Sequence, residues 1–249
     1  DNFPSGAVEN LLIESIEYKS PITTCPWRAP ITNFLAFAEQ AFLDEVAGEA
    51  KQDPVKFRIN LLQRAKQSPV GAIKYNIDRM QEVISLVTEK SGWGKRKDVK
   101  QGFSVYFSHR SYVAQVADII TENGHAVLQK IHVAADCGIV VNVSGAFQQV
   151  RGGVIDGLGH ALFGELTFDA GKVQQDNFNK YRLIKFKEVP PVEVYFVNNG
   201  ISPTGLGEPA LPPTGGALAN ALFNATGKRL YEQPFIKQGI GEIRLGPRI

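Results

Sequence analysis

Cysteines and metal-ligand spacings are almost absent from this sequence. Cys25 and Cys137 are the only two cysteines in 249 residues, they lie far apart, and neither forms a CxxC pattern. This argues against a disulfide framework, a zinc site or an iron–sulfur site within the chain. The four histidines never stand at a metal-ligand spacing such as HExxH. The sequence therefore indicates no metal site built from its own side chains.

Long apolar runs and strong net charge are also missing. No run reaches the ~20 residues needed to span a bilayer, and no signal peptide is recognisable. The formal net charge is +2, and the densest basic run, Lys95-Arg96-Lys97, is followed at once by Asp98. Nucleic-acid binders usually carry a clustered basic patch, so that class is not indicated. Because the chain starts at Asp1 rather than methionine, we expect it to be processed or cut from a longer protein. The compartment, cytoplasm or periplasm, stays open.

Helical patterns fill much of the first hundred residues. Apolar residues recur at helical spacing over 33–50, and Asp53-Pro54 is typical of an N-cap followed by a first-turn proline. A third helix is expected to end at Gly92. The apolar, β-compatible stretch 11–18 predicts a strand. We therefore expect residues 1–100 to form a helix-rich first subdomain with an N-terminal strand.

The period of the pattern changes after Gly102. Residues 103–109 and 111–120 are rich in β-branched and aromatic side chains, and Asn123-Gly124 predicts a hairpin turn before a returning strand. A glycine-studded helix, two further strands (KVQQDNF and PVEVYFVN) and a helix from Thr214 to Thr226 follow. The order lacks a regular βαβ rhythm and favours the α+β class, with residues 101–249 as the second subdomain.

The stretch PTGLGEPALPPTGG, residues 203–216, holds one carboxylate between a glycine and a proline. Gly207 lacks a Cβ and allows close approach of the backbone, while Pro209 biases Glu208 toward an extended conformation. A reacting group needs such a fixed geometry, whereas a surface ion pair does not. Glu208 is therefore a candidate catalytic base, and a structural glutamate that caps a helix or pairs with an arginine is the alternative.

Two polar side chains beside unusual backbone are candidates for ligand binding. Arg28 lies in the proline-rich loop CPWRAP and could bind a phosphate or a ring carbonyl through two N–H groups; stacking on Trp27 is the alternative. Gln149 precedes a pair of glycines and offers amide donors and an acceptor to a flat polar ligand such as a pterin. Its alternative is an ordinary surface residue.

Three further residues have mainly structural explanations. His160 is expected to be an ordinary residue of the glycine-studded helix, and Glu165 could form a carboxylate pair with Glu208. Thr214 is a good N-cap residue, and an anionic ligand could lie at that helix N terminus. The small residues of the same helix favour tight packing against a neighbour instead.

Several stretches together resemble one family, the molybdenum hydroxylase large subunits of the xanthine dehydrogenase and aldehyde oxidase type. The stretches are DCGIVVN with QQVRGGVIDGLGHALFGEL, the strand pair after them, and PTGLGEPALPPTGGALANALFNATGKR. Residues 26–62 fit the isoquinoline 1-oxidoreductase β-subunit type, although this chain has Ala29, Pro30 and Ile31 where that type usually has serine and glycine. The resemblance implies the α+β fold of a molybdopterin-binding domain, with helices and mixed sheets, incomplete without its N-terminal half.

The resemblance also implies an activity and a set of roles. The enzyme would hydroxylate an N-heteroaromatic compound or oxidise an aldehyde with water-derived oxygen. Glu208 falls on the catalytic glutamate, Gln149 on a pterin-contacting glutamine and Arg28 in the loop that lines the cofactor, with Gly207 as a further cofactor-binding residue. The molybdenum would be held by the sulfurs of molybdopterin, for which the cytosine dinucleotide is one candidate form.

The same resemblance implies several partners. They are the N-terminal part of the molybdenum subunit, a small subunit that holds iron–sulfur clusters, and a small-molecule substrate. Two other functions stay open. One is a structural subunit that no longer turns over, and the glutamate at 208 argues against it. The other is an unrelated hydrolase that uses Glu165 and Glu208, whose carboxylates would then lie about 5 to 9.5 Å apart.

Overall fold

The computed structural model describes residues 3–14 and 16–246 of the chain. Helices and short strands alternate irregularly along the sequence. In chain order the elements are α1 (Thr32–Glu49), α2 (Pro54–Gln67), α3 (Ile77–Ser91), β1 (Lys100–Ser108), β2 (Ser111–Glu122), β3 (His125–Asp136), α4 (Val143–Phe163), β4 (Phe168–Asp169), β5 (Lys172–Val173), β6 (Val192–Phe196), α5 (Pro212–Thr226) and β7 (Ile243–Leu245). Two single-turn 3₁₀ helices, Phe186–Glu188 and Phe235–Lys237, complete the set.

The main sheet is mixed, which confirms the α+β class. β1, β2 and β3 form an antiparallel meander joined by two-residue turns at His109-Arg110 and Asn123-Gly124. β6 then pairs in parallel with the C-terminal half of β3, and β7 pairs in parallel with its N-terminal half. The Asn-Gly turn confirms the predicted hairpin.

Both faces of the meander are buried. On β2, Val113 and Ala117 belong to the core shared with α4 and α5, whereas Ala114 and Val116 belong to the core shared with α2 and α3. Successive side chains of a strand point to opposite faces, so a strand covered on both sides is apolar throughout. α5 lies along β1 and α1, and it carries the loop of Glu208 at its N-terminal end.

Glycines on α4 bring α4 and α5 into close contact. A Cβ placed on Gly157 would lie 2.7 Å from Cβ of Thr214, and one on Gly153 would lie 2.9 Å from Cβ of Ala210. Such distances are too short for real Cβ atoms. The expectation that these glycines serve close packing against another segment is therefore confirmed.

The helix boundaries agree with the sequence patterns. Asp53 caps α2 by accepting from the main-chain N–H groups of Val55 and Lys56, and Gly92 ends α3 in the left-handed conformation with φ 61°. The buried face of α1 differs from its most apolar stripe, since Phe34 and Phe42 are exposed while Phe37 and Leu43 are buried. The helix is right, and the polar contacts of Gln40 and Asp44 decide which side faces inward.

Two sequence-based expectations are wrong. Residues 11–18 form no strand in the part of that stretch that is described, with residue 15 outside the described residues, and residues 9–14 and 16–27 are exposed. β-compatible side chains form a strand only where another strand accepts the backbone hydrogen bonds. In the stretch KVQQDNF only Lys172–Val173 pairs, with Phe168–Asp169.

The expected N-cap role of Thr214 is also wrong. α5 begins two residues earlier, at Pro212, with Leu211 at the N-cap position. Thr214 is fully buried, and its hydroxyl donates to the carbonyl oxygen of Ala210 at 3.2 Å. Gly215 and Gly216 are buried against Phe37 and Gln40. This end of α5 is packed into the protein, as the tight-packing alternative predicts, and it presents no anion site.

Candidate active site

Glu208 lies in the loop between β6 and α5, and both of its carboxylate oxygens have a partner. Oε1 accepts a 2.9 Å hydrogen bond from the main-chain N–H of Ala29. Oε2 lies 3.1 Å from Nε2 of His109. The Glu208 side chain is nevertheless 37% exposed, as is that of His109. The carboxylate is thus held in place while part of it stays accessible.

Three other sequence-predicted residues meet directly beside Glu208. The carbonyl oxygen of Gly207 accepts from Nε of Arg28 at 2.8 Å and from Nε2 of Gln149 at 3.0 Å. Arg28 also donates to the carbonyl oxygen of Gln149 at 3.3 Å, and its Nη1 atom pairs with Asp156 at 2.6 Å. The structure therefore brings Glu208, Gly207, Arg28 and Gln149 together from three distant segments.

The loop before Glu208 is attached to the segment that follows β3. The N–H of Thr204 donates to the carbonyl oxygen of Cys137 at 2.9 Å, and that of Ile139 donates to the carbonyl oxygen of Ile201 at 2.8 Å. Gly138, with φ 72°, makes this contact possible, because a Cβ there would lie 2.5 Å from the carbonyl oxygens of Ile201 and Ser202. The Asp-Cys-Gly element thus serves as a support for the Glu208 loop.

A buried ion pair fixes this support. Asp136 is fully buried and accepts two hydrogen bonds from Arg79, at 2.7 and 2.9 Å, as well as one from Asn199 at 2.8 Å. Burial alone would raise the pKa of Asp136, but the hydrogen bonds from Arg79 and from the N–H of Gly138 outweigh burial and lower it. Arg79 also donates to the carbonyl oxygen of Arg110 at 3.3 Å, so the same pair connects the support to the β1–β2 turn.

The loop that carries Arg28 has a strained backbone. Ala29 and Ile31 have φ values of 59° and 66°, a region that favours glycine and that a β-branched residue rarely enters. The N–H of Thr32 donates to the carbonyl oxygen of Pro30 at 2.7 Å, which closes a γ-turn centred on Ile31. Such strain costs about 1 to 3 kcal/mol per residue and is concentrated at functional sites. The loop thus lacks glycine but keeps a glycine-like conformation.

The β1–β2 turn brings a side chain to the site that the sequence reasoning missed. His109 and Arg110 occupy the two turn positions with φ values of 51° and 65°, which Asn-Gly usually fills. The signal was present in the sequence, because SHRS separates two strongly β-like stretches without a turn-forming residue. Asp156, the partner of Arg28, was also missed, since its role depends on a contact between distant segments.

The remaining candidates have structural partners. The imidazole of His160 lies against Trp27 with ring centroids 4.6 Å apart, and burial lowers its pKa. Trp27 thus packs on His160. Glu165 pairs with Lys237, whereas the carboxylate partners of Glu208 are Ala29 and His109. Among the described residues, these two glutamates share no partner.

The polar groups at this site fit a pterin. No hydrogen bond within the described part of the chain uses the main-chain N–H groups of Leu206, Gly207 and Glu208. The amide of Gln149 keeps an N–H and an acceptor oxygen beyond its bond to Gly207. A flat heterocycle that carries both donors and acceptors can use such a set.

Two kinds of feature are absent from the described residues. No three side chains of His, Cys, Asp or Glu within 3–14 and 16–246 are placed to hold a metal ion. No helix of that same part of the chain is long and apolar enough to cross a membrane.

Comparison with known proteins identifies the class. The family model of the molybdopterin cofactor-binding domain matches residues 41–190. The chain therefore belongs to that family, which confirms the resemblance seen in its sequence.

Curated relatives carry the comparison further along the chain. The membrane-bound aldehyde dehydrogenase [pyrroloquinoline-quinone] of Gluconacetobacter polyoxogenes is 31% identical over 83% of this chain and 28% of its own length. One nicotinate dehydrogenase subunit from Pseudomonas putida is 26% identical over 91% of this chain and 20% of its own length. The beta subunit of isoquinoline 1-oxidoreductase from Brevundimonas diminuta is 27% identical over 89% of this chain and 28% of its own length. The chain thus spans between a fifth and three tenths of these relatives.

A solved structure shows the same fold. The aldehyde oxidoreductase of Desulfovibrio gigas aligns with a TM-score of 0.61 over 84% of this chain and 40% of that chain, at 13% identity. At this identity the likeness concerns the fold alone.

Proposed function

We propose that this chain is the part of a molybdenum oxidoreductase that binds the pterin cofactor and supplies the catalytic base. The enzyme would oxidise an aldehyde or hydroxylate an N-heteroaromatic compound with oxygen derived from water. One observation carries the proposal: the half-exposed carboxylate of Glu208 lies next to Gly207, where Arg28 and Gln149 converge. Relatives named as aldehyde, nicotinate and isoquinoline oxidoreductases support the two substrate classes.

Glu208 is proposed as the general base. Each carboxylate oxygen has two lone-pair positions, so one hydrogen bond to Oε1 and one to Oε2 leave room for a further donor. A base must be within hydrogen-bond reach of the proton that it removes and must be held there. The contacts from Ala29 and His109 hold the carboxylate, and its exposed part can receive the proton from the reacting oxygen.

Arg28, Gln149 and Gly207 are proposed to bind the cofactor. When bound, molybdopterin supplies the two-electron redox chemistry, and its own sulfurs hold the molybdenum. Gln149 would hydrogen-bond the pterin through its free amide groups, the main chain at Gly207 would approach it closely, and Arg28 would keep the loop in place through Asp156. We further propose the cytosine dinucleotide form, on the likeness to the isoquinoline 1-oxidoreductase relative.

Other polypeptides are proposed to complete the site. Residues 9–14 and 16–27 are exposed and carry large apolar side chains, with Leu12, Ile16 and Tyr18 at 81%, 93% and 84% exposure. We propose that this segment packs against the N-terminal part of the molybdenum subunit. Iron–sulfur clusters would be held by a separate small subunit, since Cys25 and Cys137 are both free.

The test is to isolate the complex with its partner chains and to measure its metals, its nucleotide and its activity together. We expect molybdenum, iron and phosphorus in the complex, and release of cytidine monophosphate on acid hydrolysis. Oxidation of an aldehyde or an N-heteroaromatic compound should scale with molybdenum content across preparations. Turnover by a molybdenum-free complex, including one that holds pyrroloquinoline quinone, would contradict the proposal.

A further inference from the structure

The tip of the β1–β2 hairpin faces the carboxylate of Glu208. His109 occupies the first turn position, and its Nε2 atom lies 3.1 Å from Oε2 of Glu208. Its other ring nitrogen, Nδ1, lies 2.7 Å from the hydroxyl of Ser108. The imidazole is therefore held from both sides, which fixes the direction of its Nε2 atom.

A chain of hydroxyl groups continues from the imidazole to the loop of Arg28. The hydroxyl of Ser108 lies 2.9 Å from that of Thr32, which donates to the carbonyl oxygen of Ala29 at 3.1 Å. Ala29 is the residue whose N–H binds the other oxygen of Glu208. The contacts thus form a closed ring of hydrogen bonds that runs from Glu208 through His109, Ser108 and Thr32 to Ala29 and back.

The ring accepts both protonation states of the imidazole. A protonated His109 donates from Nδ1 to Ser108, and each hydroxyl then donates onward until the carbonyl oxygen of Ala29 accepts the last hydrogen. In a neutral His109 with the proton on Nε2, the hydroxyl of Ser108 rotates and donates to Nδ1 instead. In either state the Nε2–H points at the carboxylate of Glu208.

We propose that His109 is a positioning residue for Glu208. It donates from Nε2 to Oε2, fixes the rotation of the carboxylate and favours its ionised form, while Ser108 and Thr32 fix the imidazole. The proposal rests on the proposed function, in which Glu208 is the base. The backbone supports it, because a histidine with φ 51° stands where Asn or Gly would be less strained, at the one turn that reaches Glu208.

Other charged groups around this pair also have partners. Arg110 is the next residue of the turn, and its carbonyl oxygen accepts from Arg79, which pairs with Asp136. Arg28, on the loop opposite the turn, pairs with Asp156. These groups contribute a constant background to the pair of His109 and Glu208.

The positive φ values of the turn provide a matched pair of variants. His109→Gly and Arg110→Gly each place glycine in a left-handed position, so both should fold, but only His109→Gly removes the group facing Glu208. In the purified complex we expect His109→Gly to lower kcat per molybdenum by about 10- to 100-fold, with KM nearly unchanged, and imidazole in the buffer to restore part of the loss. Arg110→Gly should behave like the wild type. Equal kcat values for the two variants, or no response to imidazole, would overturn the proposal.

A second measurement needs no turnover. The hydrogen at C2 of a histidine exchanges with deuterium at a rate that depends on protonation of the ring, and mass spectrometry follows it for single peptides. In Glu208→Gln the pH of half-maximal exchange at His109 should fall by about 1 unit, because an opposite charge is lost at contact distance. An identical exchange profile in wild type and Glu208→Gln would overturn the contact. A complex without molybdenum-dependent turnover would instead refute the proposed function, and with it the positioning role, whatever the exchange profile shows.

Discussion

The main-chain N–H of Ala29 donates a 2.9 Å hydrogen bond to Oε1 of Glu208, although 179 positions separate the two residues. Arg28, the neighbour of Ala29, donates to the carbonyl oxygen of Gly207, the neighbour of Glu208. Two loops that are far apart in sequence therefore hold each other at two adjacent points. The rigidity of Glu208 comes from this contact and from the β1–β2 turn as well as from the glycines and prolines of its own loop.

The first prediction concerns cofactor retention. Gln149→Ala removes the donor to the carbonyl oxygen of Gly207 and the free amide groups beside it. A neutral hydrogen bond contributes about 0.5 to 1.5 kcal/mol, so molybdenum should be lost faster during dialysis while the protein stays folded. The adjacent exposed Gln148 provides the control, since Gln148→Ala should retain the metal like the wild type. Equal retention by both variants would remove Gln149 from the cofactor site.

The second prediction concerns the support beneath the Glu208 loop. Arg79→Met leaves Asp136, which is fully buried, without its charged partner. Breaking a buried pair in this way costs about 3 to 5 kcal/mol, measurable as a lower midpoint of urea unfolding. The exposed pair of Lys66 and Asp78 provides the comparison, because Lys66→Met should cost at most about 1 kcal/mol. Similar losses for the two variants would show that the Arg79 pair is not important for stability.

The third prediction is a loss of stability in acid. Burial raises the pKa of Asp118, but hydrogen bonds from His132, Gln101 and Arg96 outweigh burial and lower it. A carboxyl group whose pKa is lower in the folded than in the unfolded state stabilises the protein above the unfolded value, about 3.9. That contribution disappears as the pH falls through the folded value.

Unfolding measured between pH 7 and pH 2 tests this sign. We expect the wild type to lose stability below about pH 4, and Asp118→Asn to be less stable at neutral pH with a flatter profile in acid. A variant profile that runs parallel to that of the wild type would contradict the assignment. Asp136 has the same sign of shift, so some acid dependence should remain in the variant.

The fourth prediction concerns the contact between α4 and α5. Gly157→Ala would place its Cβ 2.7 Å from Cβ of Thr214, whereas Gly159→Ala would place it 3.5 Å from the nearest atom of Ile184. Overpacking typically costs about 1 to 3 kcal/mol, while alanine in an open helix position gains up to about 1 kcal/mol over glycine. Thermal unfolding should therefore separate the two variants in opposite directions. A stabilising Gly157→Ala would show that the two helices can move apart.

The elements with local signals could be predicted from the sequence. Asp53 and Gly92 mark the ends of helices through their own side chain or backbone, and Asn123-Gly124 does the same for a turn. The loop of Glu208 was recognisable for the same reason. The boundary between subdomains at residue 100 stays a prediction.

The elements that depend on distant partners could not be predicted. Residues 11–18 have the composition of a strand, but no described strand pairs with them. The buried side of α1 depends on what Gln40 and Asp44 contact elsewhere in the chain. The place of His109 at the site follows from the pairing of β1 with β2 and from the return of the chain some hundred residues later, neither of which leaves a local pattern.

The central claim is that Glu208 is the catalytic base, and Glu208→Gln tests it most directly. A glutamine keeps the size of the side chain and can still accept from the N–H of Ala29 through its amide oxygen, but it cannot take up a proton. The partners of Glu208 are half-exposed or main-chain groups, so the thermal unfolding midpoint and the molybdenum content should stay near those of the wild type.

The decisive quantity is turnover per molybdenum in the purified complex of wild type and Glu208→Gln, measured beside a thermal unfolding curve. Removal of a general base typically lowers the rate by about 10²- to 10⁴-fold, and we expect a loss in that range for molecules that are folded and loaded with metal. Normal turnover per molybdenum, with or without a loss of stability, would contradict the account.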